Sequence, residues 1–455
     1  MPPGSDDNNA FPPGQLYRGV LPVVPPDGAL ENQPRNNAAT AASAASVRAL
    51  TAQAVAFYFR APVKAFFRTR VDYLAYARSL HQAQTQLMTK AAANDPTVSR
   101  LGLTLKQAWN WARGTTPGLL TSVIQQHGWS VVPQQILPPL IANVGVGAVL
   151  YTSYLQILGQ LHEESSKSTK RVYPPPDPLH TFTAGFLAGS FQSVLAAPLD
   201  AIQARYDHRD LVTGHASGKP RSMWSFSAEK LREIGVRGVF AGWGLSFMKD
   251  SFGNAIFFST FEYVKAQSYY QFITWYYGGL NRATVNVLAQ KRPSVRNDND
   301  AQDEDKPVVI RPHYAIEPAF LLLAGIGASF AQQILLHPLT HIQVKHWEHL
   351  EDLDDKAARL RAATAANPEK PRRRWRMLRA YYRAYQETWA HCASEAASEG
   401  SGVMRWLYRG FWWNTIRQVP STSAGLIIFE LVRRKYGSGA EPVRVAKDNY
   451  EILLN

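Results

Sequence analysis

Cysteine is almost absent: Cys392 stands alone among 455 residues. An intramolecular disulfide needs two thiols and a Cys-based zinc cluster needs more, so both are excluded. Long pure hydrophobic runs are also missing. No stretch reads as 20 uninterrupted apolar residues, so nothing here is a plain membrane anchor. The first 46 residues lack apolar periodicity and are rich in Pro, Asn, Ala and Gly, the composition of a disordered tail. That tail carries Asp6, Asp7 and Glu31 beside Arg18 and Arg35, which is neither a secretory signal nor an Arg-rich presequence. Any membrane targeting is therefore expected to be internal. No Ser–His–Asp constellation and no phosphate-binding Gly-rich loop stands out. His391 and Cys392 are neighbours without further residues at metal-ligand spacing. No catalytic residue, metal or cofactor is expected, and the chain does not read as an enzyme.

What is present is a strong positive balance, +14 formally, which points to anionic partners: lipid headgroups, nucleic acid or acidic solutes. The mean hydropathy of −0.24 averages over sharp contrasts along the chain.

Those contrasts repeat. AAPLDAIQAR around Pro198 returns as LHPLTHIQVK around Pro338. Thirteen residues before each proline stands a glycine, Gly185 and Gly325, with a small residue four positions later, Gly189 and Ser329. Such a small-xxx-small face lets helices in a membrane approach closely. Two downstream blocks match as well, Gly238–Lys265 and Trp406–Arg434, and in both the distance from glycine (Gly242, Gly410) to acid (Glu262, Glu430) is 20 residues. A weaker copy lies upstream, around Pro62, followed by an apolar stretch near 131–156.

Three units follow, each a helix with a late proline, a polar insert and a second apolar helix. Six spans are expected near 47–70, 131–156, 179–206, 242–268, 315–346 and 411–434. Their amphipathic character suits helices lining a water-filled cavity. The inserts after the first, third and fifth spans are basic, the last (347–405) containing KPRRRWRMLR, whereas 269–313 carries NDNDAQDED. Six spans put the three basic inserts on one side, in line with the positive-inside tendency. Arg372-Arg373-Arg374-Trp375-Arg376 lies in no recognisable nucleic-acid module, so a lipid-facing amphipathic helix is the default and no nucleic acid is expected.

These motifs resemble the mitochondrial carrier family. Pro198-Leu199-Asp200 resembles its proline signature, with Gln203 where the family usually has a base. Phe240-Ala241-Gly242 and Tyr408-Arg409-Gly410, the latter after Glu399-Gly400, match its middle block. Phe261-Glu262-Tyr263-Val264-Lys265 and Phe429-Glu430-Leu431-Val432-Arg433 match its last. The resemblance implies an all-α membrane protein with six transmembrane helices in three repeats, pseudo-threefold around a central cavity. The divisions are a 1–46 tail, a degenerate first repeat at 47–160, a second at 175–268 and a polar connection at 269–313. The third repeat, 314–436, holds the 347–405 insert, and 437–455 is a C-terminal tail.

The resemblance also implies roles. Pro62, Pro198 and Pro338 kink the odd-numbered helices. A matrix-side gate falls on Lys64, Asp200, Gln203, Thr340 and Gln343, where the standard ion pairs are replaced and Asp200–Gln343 hydrogen bonding is expected. An opposite gate falls on Glu262, Lys265, Glu430 and Arg433, with repeat one offering Tyr151, Thr152 and Tyr154. Thirteen residues before the gate acids stand Lys249, beside Asp250, and Arg417, the expected contacts for an anionic or zwitterionic solute. The alternative is that these bases snorkel to headgroups. Gly242, Arg409 and Gly410 are expected to hold a lipid phosphate, cardiolipin in this family. The implied function is transport of a small metabolite by a monomer in the mitochondrial inner membrane. The other reading is a non-transporting membrane adaptor, in the outer membrane, with a protein partner at 347–405.

Overall fold

The computed structural model describes residues 121, 124, 125, 128–130, 132–166, 172–204, 223–291, 308–366, 376–416, 443–447 and 450–454. Tail 1–46, Pro62, Lys64, the span at 47–70, Arg417, Glu430 and Arg433 lie outside them. Of Gln203 the backbone is described and the side chain is not.

Helix α1 (Leu137–Leu161) follows a π-helical turn, Val132–Ile136. Pro138 and Pro139 come just after that π-helical turn. Helix α2 (Pro178–Ala204) begins on a proline, where the missing N–H would have no helical acceptor anyway, and Thr181 back-bonds to the carbonyls of Asp177 and Pro178. Helix α3 (Met223–Val239) breaks its regular geometry at Gly235. Helix α4 (Trp243–Glu262) passes directly into a π-helical turn, Tyr263–Ser268. Two short helices follow, α5 (Tyr269–Gly278) and α6 (Arg282–Lys291), then strand β1 (Val308–Ile310). Helix α7 (Ile316–Ala366) is 51 residues long. After it come α8 (Arg376–Ser398), α9 (Val403–Leu407), and strands β2 (Val443–Lys447) and β3 (Tyr450–Leu454).

The described residues divide into two units, one drawn from 266–317 and 440–455 and the other holding the remaining helices. The larger unit is helical. Its core joins Leu150, Tyr154 and Leu158 of α1 to Ala184 and Ala188 of α2, Phe257, Phe258 and Phe261 of α4, and Leu321, Ala324 and Ala328 of α7. Tyr154 stacks on Phe258 with ring centres 3.7 Å apart, and Tyr151 meets the same ring edge-on. At this level the described helices meet through packed side chains, and Tyr151 and Tyr154 serve that packing.

Closeness between α2 and α4 comes from the small-residue face read in the sequence. A methyl group on Gly185 would lie 2.9 Å from the Ala255 backbone, and one on Gly189 2.5 Å from the Asp250 carbonyl. Interposed side chains would force the two helices apart, so glycine is required at this depth. Gly325 and Ser329 differ from that pair: Ser329 turns its hydroxyl back to the Gly325 carbonyl, at 2.7 Å.

Among the described residues, three helices are long and apolar enough to cross a membrane: Ile141–Leu161, Pro178–Ile202 and Ile316–Leu350. They correspond to the second, third and fifth expected spans. The fourth, α4, has the 20 residues a bilayer needs, but carries Lys249, Asp250 and Glu262. The start of the sixth is helical over 411–416. Of the three prolines expected to kink helices, Pro198 stands inside α2 and Pro338 inside α7.

Within the insert expected at 347–405, the residues up to Ala366 and from Arg376 to Ser398 are helical. Helix α7 runs on to Ala366, and α8 packs back on it through Tyr381, Leu350, Trp347 and Ala241. His346 donates to or accepts from Thr388 at 3.1 Å, and Lys345 pairs with Glu395 at 3.2 Å. Cys392 and Ala396 join Trp406 and Leu407 in a second apolar cluster.

The smaller unit was read as polar connection and tail, yet it contains a three-stranded sheet, order β1-β3-β2. β1 runs parallel to β3 in register Val309↔Glu451, and β2 antiparallel in register Val445↔Ile452. Ile310 and Ile452 are fully buried. Tyr277 of α5 accepts the His313 N–H on its hydroxyl and the Tyr450 hydroxyl on its carbonyl.

Candidate functional site

A polar layer lies where α2, α4 and α7 meet, and α4 supplies most of it. Gln343, expected as a gate partner of Asp200, instead spends its amide on α4. Its nitrogen donates to the Ser246 hydroxyl at 2.7 Å, and its oxygen accepts from the Lys249 ammonium at 2.5 Å. Gln343 is 1% exposed. The reason is steric register: Ser246 and Lys249 are three residues apart, on one face of α4, and one amide spans them. A candidate gate residue and a candidate solute contact are thus joined directly.

Asp200 is buried and lines a narrow crevice with Ala197, Gly242, Trp243, Ser246 and Trp347. Ser246 therefore borders both the Asp200 crevice and the Gln343–Lys249 pair. Thr340, at the other acid position of the gate, bonds the Leu336 carbonyl of its own helix at 2.6 Å. One turn toward the other end of α4, Asn254 donates to Gln192 of α2 at 2.9 Å, both side chains being buried. Across α4, Gln332 of α7 lies against Gly253 and its carbonyl oxygen has no hydrogen-bond partner. Sequence reasoning missed Gln192, Asn254, Gln332 and Ser246. A signal existed for two of them, because Gln192 and Gln332 each stand six residues before their helix's proline.

On the opposite gate, Glu262 pairs with Lys265 within one turn at 3.1 Å, and Lys265 also lies over the Phe261 ring. Both side chains are largely buried.

The Tyr408-Arg409-Gly410 turn packs on α7. Tyr408 donates its hydroxyl to the Ile334 carbonyl at 2.8 Å, and His337 meets the Arg409 carbonyl at 3.1 Å. Gly410 takes φ +76, a left-handed conformation that suits glycine. Arg409 forms two contacts with Glu399 at 2.8 and 3.0 Å, which joins the acid–Gly and aromatic–basic–Gly parts of the block in space. Gly242 caps α4, with Leu350 and His346 of α7 nearby. Among the described residues, no group of three or more His, Cys, Asp or Glu could hold a metal ion.

Residues 174–271 match the family model described as mitochondrial carrier protein. The chain is similar to the mitochondrial glutathione transporter SLC25A39 of Danio rerio, 25% identical over 208 residues, 43% of this chain and 55% of that protein. It is also similar to mitochondrial ornithine transporter 1 of Saccharomyces cerevisiae, 26% identical over 133 residues, 29% of this chain and 42% of that protein. The chain thus spans about half the length of each relative. The matched region contains α2, α4, Asp200, Lys249 and the Gly185/Gly189 contact. On these grounds the chain carries a segment similar to the mitochondrial carrier family.

Proposed function

We propose that this protein moves a small anionic or zwitterionic metabolite across the mitochondrial inner membrane by alternating access. The observation that carries the proposal is the Lys249–Gln343–Ser246 connection beside Asp200. An ammonium group among membrane helices is costly unless it is paired or faces water, which makes it a functional candidate. Here it donates to the Gln343 amide oxygen, and in this reading a solute carboxylate takes the place of that oxygen. Asp200 and Asp250 supply the opposite sign for a zwitterion. The solutes for which these relatives are named, glutathione and ornithine, both carry an amino and a carboxyl group, which fits this charge pattern.

In this reading, alternating access exchanges the Gln343 contacts with α4 for contacts to the solute. Lys249, Asp250 and Arg417 bind the solute; Lys64, Asp200, Gln203, Thr340 and Gln343 gate the matrix side. Glu262, Lys265, Glu430 and Arg433 gate the other. Gly242, Arg409 and Gly410 hold a lipid phosphate, with Arg409 exchanging Glu399 for it.

One observation favours the second reading, a non-transporting adaptor with a partner at the helical insert: Thr340 is turned back onto its own helix, so its gate position offers no charge. Reconstitution decides between them. Purified protein in liposomes is tested for uptake of labelled glutathione, ornithine and other amino acids. Uptake lost in Lys249→Ala supports transport. Folded protein with no flux for any of these solutes supports the adaptor.

A further inference from the structure

Helix α5 is aromatic on both of its faces. Tyr269, Tyr270, Ile273 and Tyr277 are buried, and Tyr277 is tied to the sheet as described above. The other face holds Phe272, Trp275 and Tyr276 in mutual ring contact, Phe272 stacking on Tyr276 with centres 5.7 Å apart and meeting Trp275 at 6.2 Å. Trp275 is 74% exposed and Tyr276 51%. A helix that is apolar all round belongs in a covered place, and Trp275 and Tyr276 stand exposed on this outer face.

We propose that the Phe272–Trp275–Tyr276 face docks on the headgroup–acyl boundary of the bilayer. Three observations choose lipid as the occupant. The exposed rings include Trp and Tyr, whose apolar body and polar edge suit the membrane interface, where these residues concentrate. The segment carrying them is tethered near the membrane at its far end, because β1 is followed within six residues by the membrane-length stretch Ile316–Leu350. Tyr314, 82% exposed, stands two residues before that stretch, where an interfacial aromatic is expected. At its near end α5 follows α4 through the π-helical turn with no intervening loop. The sheet unit is in this way a surface-seated module, and this holds whether or not the protein moves a solute.

The test uses full-length protein in phosphatidylcholine–cardiolipin vesicles. Trp275 emission is read as the difference between wild type and Trp275→Phe, with lipids brominated near the headgroup end of their chains. The difference signal is expected to lose most of its intensity. A nitrobenzoxadiazole probe is also placed on Tyr276→Cys, with Thr284→Cys on the exposed side of α6 for comparison, both in a Cys392→Ser background. The probe at 276 is expected to emit at shorter wavelength and resist aqueous iodide, while the one at 284 is quenched. Equal iodide quenching at both positions overturns the proposal, as does shielding at 276 without bromolipid quenching, which would mean a protein cover.

Discussion

Tyr408 donates its hydroxyl to the Ile334 carbonyl, and Ile334 is the residue four before Pro338. Proline has no N–H, so the carbonyl four positions earlier loses its helical donor. In α7 that donor is replaced from outside the helix, by the aromatic residue of the Tyr408-Arg409-Gly410 turn. The second repeat has a related contact, in which the Trp243 indole donates at 3.3 Å to Ser193, beside the carbonyl that Pro198 orphans. In the third repeat the aromatic residue flanking the block's glycine therefore braces the proline of its own repeat. Removing the hydroxyl in Tyr408→Phe leaves the Ile334 carbonyl without its partner, at a cost of about 1–2 kcal/mol. A lower thermal-unfolding midpoint in detergent checks this, with Tyr382→Phe on exposed ring surface as the unchanged control. Equal shifts in both would refute the brace.

Gly189 sets the α2–α4 distance, with the Asp250 carbonyl 2.5 Å from the position of a methyl group. That neighbour is backbone and cannot swing aside, so Gly189→Ala must part the helices, at about 1–3 kcal/mol for overpacking. Gly145 on α1 has open space at the same position, so Gly145→Ala is expected to leave stability unchanged or raise it slightly. Chemical denaturation of the two variants in the same detergent separates the effects.

The glycine face was legible in the sequence because it depends on residues four apart on one helix. So were α2 and α7, whose prolines and apolar periodicity are local signals. The sheet was not legible: β1 has three residues, and its partner β3 lies some 140 residues away, so pairing rests on contacts no local pattern announces. The Gln343 partner was missed for a different reason. Its place beside Pro338 fixed its helix, but only the packing of α4 against α7 decides that Lys249 and Ser246, and not the Asp200 ring, receive its amide.

Cys392 is buried in the α8–α9 cluster, and burial raises its thiol above the ordinary value near 9. A raised acid is neutral in the fold and ionises first in the unfolded chain. Its contribution to stability is therefore whole below pH 9 and is lost as pH climbs through the folded value. The partly buried Tyr385 hydroxyl, raised by the same cause, adds a loss above pH 10. Denaturation midpoints are expected to fall from about pH 9 upward, less steeply in Cys392→Ala. Maleimide labelling at neutral pH should be slow in the native protein and fast in denaturant. Rapid native labelling would show that the cluster is open.

Lys249 and Gln343 give the sharpest discrimination between a solute contact and a structural tie. Gln343→Leu removes an acceptor of the ammonium, leaving a partly buried charge with one fewer partner, at about 1–3 kcal/mol. Lys249→Met removes the charge with it, so a structural tie predicts that Gln343→Leu costs much less in the Lys249→Met background. The double-mutant cycle measures that coupling as the difference in unfolding free energy. A solute contact predicts more: labelled glutathione or ornithine at saturating concentration should raise the midpoint of wild type and of Gln343→Leu, but not of Lys249→Met. Coupling without that ligand shift would make Lys249 a tie between α4 and α7 alone.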